Sequence, residues 1–181
     1  MPARALRIIG GRWRGRKLRF PDASDLRPTP DRVRETLFNW LGQDLSGRTT
    51  LDPFAGSGAL SLEALSRGAA LAVAVDRDSR VVGALRATAE ALGTRSLETH
   101  CEDALSFMRR DERLYDVVFL DPPFADEDWR RLLPAAAARL TEEGRLYVEA
   151  NAPIEPPEGL VLLRRDKAGR VHYHLLGRAG L

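Results

Sequence analysis

Apolar residues recur along this chain in two alternating rhythms, short continuous runs and helix-spaced stripes, and each predicts an element. Near the N-terminus, Leu6, Ile8 and Ile9 lead into Gly10-Gly11, and a basic stretch from Arg12 to Arg19 follows. This predicts a small hairpin over residues 4–20, with the glycines allowing a turn or a tight backbone approach. Alternation from Leu18 to Phe20 places apolar groups inward and basic groups outward. Thr29 is then a candidate N-cap, with Pro30 at the first helical position and Asp31 in the first turn. The helix runs to about Leu41 and stops at Gly42. Its predicted buried stripe is Val33, Leu37, Phe38 and Leu41, which leaves Arg32, Arg34 and Glu35 more exposed.

From Thr49 the rhythm is that of an open α/β sheet. Strands are predicted at 49–54, 70–75, 96–100, 115–120 and 145–149, and helices at 59–67, 79–92, 104–108 and 127–140. The last helix carries Trp129, Leu132, Leu133 and Ala136 as its core stripe. After a Pro-rich connector at 152–157, strands at 160–163 and 171–175 form a terminal hairpin through Lys167-Ala168-Gly169. The expected organisation is a basic extension over 1–42 and a main domain over 43–181.

The 181-residue length suits one ordinary domain, and a single cysteine excludes an intramolecular disulfide framework. Three histidines leave little for zinc, so no metal is expected. With no run of 18 apolar residues, no membrane association is expected, and a cytoplasmic location is. Net charge is only +2, but residues 1–34 carry ten basic and three acidic groups, whereas residues 35–181 carry 18 basic and 23 acidic ones. Arg outnumbers Lys by 26 to 2; the guanidinium fork suits phosphates, although a GC-rich genome gives the same bias. The basic segment predicts contact with nucleic acid. Within it, Trp13 either stacks on an unpaired base or plugs the hairpin against the main domain.

The candidate chemistry lies at strand ends. The first sheet strand leads through Asp52 and Phe54 into Gly56-Ser57-Gly58 and a helix N-terminus, the layout of a ligand crevice. Gly56 and Gly58 can let backbone approach a ligand. Asp76, twenty positions beyond Gly56 at the next strand's end, can accept both hydroxyls of an adenosine ribose, and Arg77 is grouped with these contacts. A dinucleotide fingerprint wants a third glycine where Ser61 stands, so S-adenosylmethionine fits better than a nicotinamide cofactor. Asp52 either meets the methionine ammonium or orients the turn. Asp103 either accepts from the adenine amino group or caps the next helix. At the end of the strand 115–120, Asp121-Pro122-Pro123-Phe124 forms a rigid edge: the Asp121 carboxylate and the Pro122 carbonyl can receive both hydrogens of an exocyclic amine while Phe124 stacks on the base. An aspartate of ordinary pKa is a weak general base, so amine deprotonation by Asp121 or loss to water both remain open. His172 and His174 read as packing or surface groups.

These stretches resemble the RsmD family of bacterial small-subunit ribosomal RNA guanine-N2 methyltransferases. The resemblance rests on residues 7–18, on 26–29 with 31–41, on Asp52 with 54–60 and 62–67, and on Asp121-Pro122-Pro123-Phe124. It covers nearly the whole chain; the arginine-rich block joined to the 27–41 stretch is the most specific part. It implies a class I methyltransferase fold, α/β with a seven-stranded mixed sheet whose last strand is antiparallel, preceded by the small basic extension. It also implies transfer from S-adenosylmethionine to N2 of one guanine, nucleotide 966 of 16S rRNA, by a monomer acting on a partly assembled small subunit. Asp121 to Phe124 carry over as the amine motif, and Asp52, Gly56, Gly58 and Asp76 as cofactor contacts. Arg7, Arg12, Arg14, Arg16, Lys17, Arg27 and Arg32 carry over as the RNA-facing block, to which position adds Trp13 and Arg34. An adenine-N6 methyltransferase and a non-catalytic ribosome-assembly protein are the alternatives.

Overall fold

A computed structural model describes residues 4–20 and 29–180; Arg27 lies outside the described residues. Strands β1 (Arg4–Arg7) and β2 (Lys17–Phe20) pair antiparallel, Arg7 opposite Lys17, around a single 3-10 turn at Gly11–Trp13. Leu18 and Phe20 point inward and Lys17 and Arg19 outward, as the alternation predicts. Gly11 has a φ of +75°, and a Cβ there would lie 1.9 Å from the Ser66 carbonyl oxygen, so only glycine allows this approach.

Helix α1 (Asp31–Leu41) follows. Its N-cap is Pro30, not Thr29, and no side chain caps it; Thr29 is drawn away to the carboxyl edge of the sheet. Val33, Leu37 and Phe38 are buried as predicted, but Leu41 is only half-buried and Arg34 is fully buried.

The main domain then alternates: β3 (Thr49–Asp52), α2 (Ala59–Ser66), β4 (Leu71–Asp76), α3 (Ser79–Ala91), β5 (Leu97–Cys101), α4 (Ala104–Arg110), β6 (Tyr115–Leu120), α5 (Trp129–Ala137), β7 (Leu140–Ala150), β8 (Leu160–Ala168) and β9 (Val171–Arg178). Seven strands form one sheet in the order β5-β4-β3-β6-β7-β9-β8. The first five pair parallel, and β9 runs antiparallel to both neighbours. Because β3 and β6 are neighbours and their connections leave in opposite directions, their carboxyl ends flank a crevice.

The 127–140 helix is shorter than predicted. Phe124–Asp126 is a 3-10 turn, α5 ends at Ala137, and Leu140 already pairs with Tyr115. The register then jumps to Val117 opposite Arg145, so residues 141–144 bulge from β7. The β8–β9 hairpin is also longer than predicted, because its strands continue pairing to Leu160 opposite Arg178.

All eight residues of α2 are buried. Its inner face packs on the sheet and its outer face is covered by the hairpin and α1. One apolar cluster joins Leu6, Ile8, Trp13 and Leu18 to Leu37, Phe38, Leu62, Leu65 and Phe119, and a second fills the opposite face of the sheet around Val118, Leu120, Leu132 and Leu146. A helix buried all round is one covered on every side, and its polar residues Ser61, Glu63 and Ser66 must then find partners inside the protein. Among the described residues no helix is long and apolar enough to cross a membrane.

Candidate active site

The carboxyl ends of the parallel strands bring acidic side chains to one edge. In sheet order these are Asp103 beyond β5, Asp76 on β4, Asp52 on β3, Asp121 beyond β6 and Glu149 on β7. Asp52 and Asp76 face the glycine turn. Asp76 accepts the Gly56 amide (3.0 Å) with one oxygen and the Asp78 amide (2.9 Å) with the other, so it holds the turn in place while each oxygen keeps a lone pair. Gly58 has a φ of +75°, and a Cβ on it would strike Leu85 at 2.3 Å. Its glycine therefore serves the turn and the packing of α3. Ser57 is half-buried in the same turn, and Phe54 packs partly against the second core.

Asp52 is 2% exposed. One carboxylate oxygen accepts the Ser61 hydroxyl (3.0 Å); the other has no partner. Burial, with the Asp76 charge adding to it, raises its pKa to about 7, although Ser61 opposes the shift. An orphaned acceptor in that position fits an ammonium group. Asp103 accepts the Ser106 amide (2.9 Å) and caps α4, yet its side chain stays exposed at the crevice edge. Arg77 turns the other way: it is exposed and pairs with Asp126 (3.2 Å) in the 3-10 turn across the crevice.

Across the crevice, Pro122 is buried while Pro123 and Phe124 are exposed, Phe124 by 55%. Leu120 pairs with Val148, so the next residues along, Asp121 and Glu149, end two adjacent parallel strands. Asp121 accepts a long hydrogen bond from the Thr29 hydroxyl (3.5 Å), and Glu149 accepts one from the Tyr147 hydroxyl (2.7 Å). The Asp121 pKa lies well above the usual carboxylate range, first because of burial, then because of the Glu149 and Asp52 charges. Glu149 is raised as well, chiefly by burial. The expectation of an ordinary Asp121 pKa is thus corrected: burial first, and the neighbouring carboxylates second, make it proton-avid. The sequence marks Thr29 only as a helix cap and does not mark Glu149 as a site residue. Glu149 has the signal of an acid ending an apolar strand, but only the sheet order sets it beside Asp121.

The basic block divides. Arg7, Arg12, Arg14, Arg16 and Lys17 are exposed on the hairpin, and Arg32 on the first turn of α1. Arg14 lines a cleft of about 500 Å³ with Glu35 and Asn39. Trp13 is 7% exposed, its amide donates to the Ser66 hydroxyl (2.9 Å), and the Arg12 guanidinium lies 4.2 Å above its ring. It is the plug, not a base-stacking platform. Arg34 leaves the RNA-facing set as well. Its guanidinium is fully buried and donates to Asp31 (2.5 Å), Glu63 (3.2 Å), the Thr29 carbonyl (3.2 Å) and the Arg7 carbonyl (3.0 Å). The reason lies on α2: Glu63, an acid amid an apolar helix, needs a buried cation.

The family profile described as "Conserved hypothetical protein 95" matches residues 6–177. The chain is 42% identical over 182 residues to ribosomal RNA small subunit methyltransferase D of Escherichia coli strain K12, covering 96% of this chain and 90% of that protein. It is 39% identical to the protein of the same name from Haemophilus influenzae, covering 94% and 92%. The solved structure of yhhF from Escherichia coli matches with a TM-score of 0.88 at 41% identity, over 96% of this chain and 98% of that one. SMU.776, solved in complex with SAH, shares the fold at a TM-score of 0.66 and 19% identity, over 80% and 48% of the two chains. By the extent of these matches and by its sheet, the chain belongs to the RsmD family of methyltransferases, the family described as conserved hypothetical protein 95.

Proposed function

We propose that this protein transfers a methyl group from S-adenosylmethionine to the exocyclic N2 of one guanine in small-subunit rRNA, nucleotide 966 of 16S rRNA, presented by a partly assembled subunit. The observation that carries this reading is the Asp121–Phe124 turn, whose carboxyl group stands beside Glu149 and within range of Asp52, with Phe124 open at the rim. S-adenosylmethionine, when bound, supplies an electrophilic methyl group. Asp76 would hold its ribose, Asp52 its ammonium and Asp103 its adenine.

The protein's own work is on the amine. The Asp121 carboxylate and the Pro122 carbonyl accept the two amine hydrogens and aim the nitrogen lone pair, while Phe124 stacks on the base. As the nitrogen becomes cationic, the surrounding carboxylates favour that charge. Asp121, proton-avid in this setting, is suited to take the proton the nitrogen releases. The target base must leave its stack to reach the crevice. Arg7, Arg12, Arg14, Arg16, Lys17 and Arg32 supply phosphate contacts.

The test is methyl transfer from labelled S-adenosylmethionine to small subunits lacking the modification, and to naked 16S rRNA, with nucleoside analysis. N2-methylguanosine at one site is the expected product. N6-methyladenosine would move the substrate to adenine, and no transfer to either by folded, cofactor-binding protein would favour a non-catalytic assembly role.

A further inference from the structure

The described basic residues of the extension lie mostly away from Phe124. The hairpin turn is docked on Ser66, at the end of α2 opposite the glycine turn, and eight helical residues span about 12 Å. Basic side chains close to Phe124 come from elsewhere. Strand β9 runs antiparallel to β7 with His172 opposite Ala150, so the β8–β9 turn projects past the carboxyl edge, next to the crevice. Lys167 pairs across from His172, and Arg170 lies in the turn itself.

Together with Phe124 and Asn151, these three line a groove of about 440 Å³. Among the described residues no acidic side chain lines it. The Asn151 amide is held by Glu127 (3.3 Å), which ties the groove floor to the segment just after the amine motif. Lys167 and Arg170 are exposed, and among the described residues neither has an ion pair, whereas Arg77 and Arg80, on the same edge, are both paired with carboxylates. Residues 164–170 hold four basic groups and one acid, in a main domain otherwise rich in acid.

We infer that the β8–β9 turn is a second RNA-binding element, in which Lys167 and Arg170 hold backbone phosphates adjoining the flipped base and His172 and Asn151 contact the same nucleotides beside Phe124. The inference rests on the functional reading above for the identity of the RNA, while its geometry is that of the β8–β9 turn and its groove. A positive groove continuous with an exposed aromatic ring, its adjoining carboxylate Glu127 engaged by the Asn151 amide, has the character of a single-strand site, in which cations track the backbone and a ring stacks on a base. The extension then anchors more distant rRNA while the turn grips the target's neighbours.

The test compares the native chain with Lys167→Gln/Arg170→Gln for binding to naked 16S rRNA and small subunits over a range of salt, for methyl transfer, and for S-adenosylhomocysteine affinity. Two lost phosphate contacts should lower the slope of log affinity against log salt by about 1.4–1.8 and raise the RNA KM, with S-adenosylhomocysteine affinity unchanged. The charge-keeping Lys167→Arg/Arg170→Lys should restore RNA binding, which separates lost contacts from a damaged turn. Arg48→Gln/Arg109→Gln removes equal charge from exposed positions away from the crevice; an equal loss there would overturn the inference in favour of general charge. An unchanged slope and KM in the first variant, with native methyl transfer intact, would overturn the groove and leave the enzyme reading standing. A reduced slope with no methyl transfer by the native chain would do the reverse.

Discussion

Glu63 and Asp52 are buried to nearly the same degree, 0% and 2% exposed, but they are furnished very differently. Glu63 accepts the Ile9 and Gly10 amides (3.0 and 2.8 Å), the Arg34 guanidinium (3.2 Å) and the Arg67 guanidinium (3.0 Å). It fastens the hairpin, α1 and α2 to one another. Asp52 has one hydroxyl donor and an orphaned oxygen, and Asp121 and Glu149 nearby have a hydroxyl donor each and, among the described residues, no cation. A buried carboxylate surrounded by donors holds a fold together; one left short of donors is poised for something that arrives later. A buried carboxyl group is thus fully furnished where it fastens α2 to the hairpin and short of donors at the carboxyl edge of the sheet.

The comparison is broken most severely at Asp121. Asp121→Ala should lower kcat by about 10³-fold or more, on the order of 4 kcal/mol of transition-state stabilisation, while S-adenosylhomocysteine binding persists. Steady-state methyl transfer with parallel calorimetry checks this; retained activity would remove Asp121 from the reaction. At the other end, Arg34→Met should destabilise the fold by about 3–5 kcal/mol, because Glu63 would lose its best-buried cation. Denaturant unfolding measures it, and the double change Arg34→Met/Glu63→Met should recover part of the loss if the cost is an uncompensated charge.

Asp52 gives a pH signature. Its folded pKa of about 7 exceeds its ordinary value of 3.8, so its contribution to stability is fully present below about pH 4 and is lost as pH rises to 7. Asp52→Asn should accordingly stabilise the ligand-free protein above pH 7 by on the order of 2–4 kcal/mol, with the difference vanishing near pH 4, while weakening cofactor binding. Melting curves at several pH values test the sign. Glu149→Gln should act more gently. Removing its charge lowers the Asp121 pKa, so the acidic limb of the kcat/KM profile should move to lower pH, with about a ten-fold loss of rate as Asp121 becomes a weaker proton acceptor. An unmoved limb would show that the two groups titrate independently. Thr29→Val, which removes one long hydrogen bond to Asp121, should cost about three-fold in rate or less, within the modest net worth of a hydrogen bond.

Much of this was readable along the chain. The alternation of strands and helices, the glycine turn between Asp52 and Ala59, and the Asp-Pro-Pro-Phe turn are local signals, because periodicity, φ preferences and missing amide donors act within a few residues. Element ends were less readable: Leu140 joins β7 because Tyr115 offers it a partner, and Thr29 abandons its cap because Asp121 lies within reach. Arg34 was misplaced for the same reason, and Trp13 was left open. An arginine in a basic run reads as solvated until a buried Glu63 on another helix claims it, and a tryptophan among arginines reads as base platform or as plug until Ser66 and α2 receive it.

What the sequence by itself determined was the inventory: an α/β chain, a glycine turn after the first sheet strand, a rigid Asp-Pro-Pro-Phe edge and a basic N-terminal segment. What only the tertiary structure decided was company. Asp52, Asp121 and Glu149 are far apart along the chain and become one electrostatic unit because parallel strands β3, β6 and β7 end at the same edge. Charges interact through space, not along sequence, so proton affinity and the division of arginines between core and surface are properties of the fold.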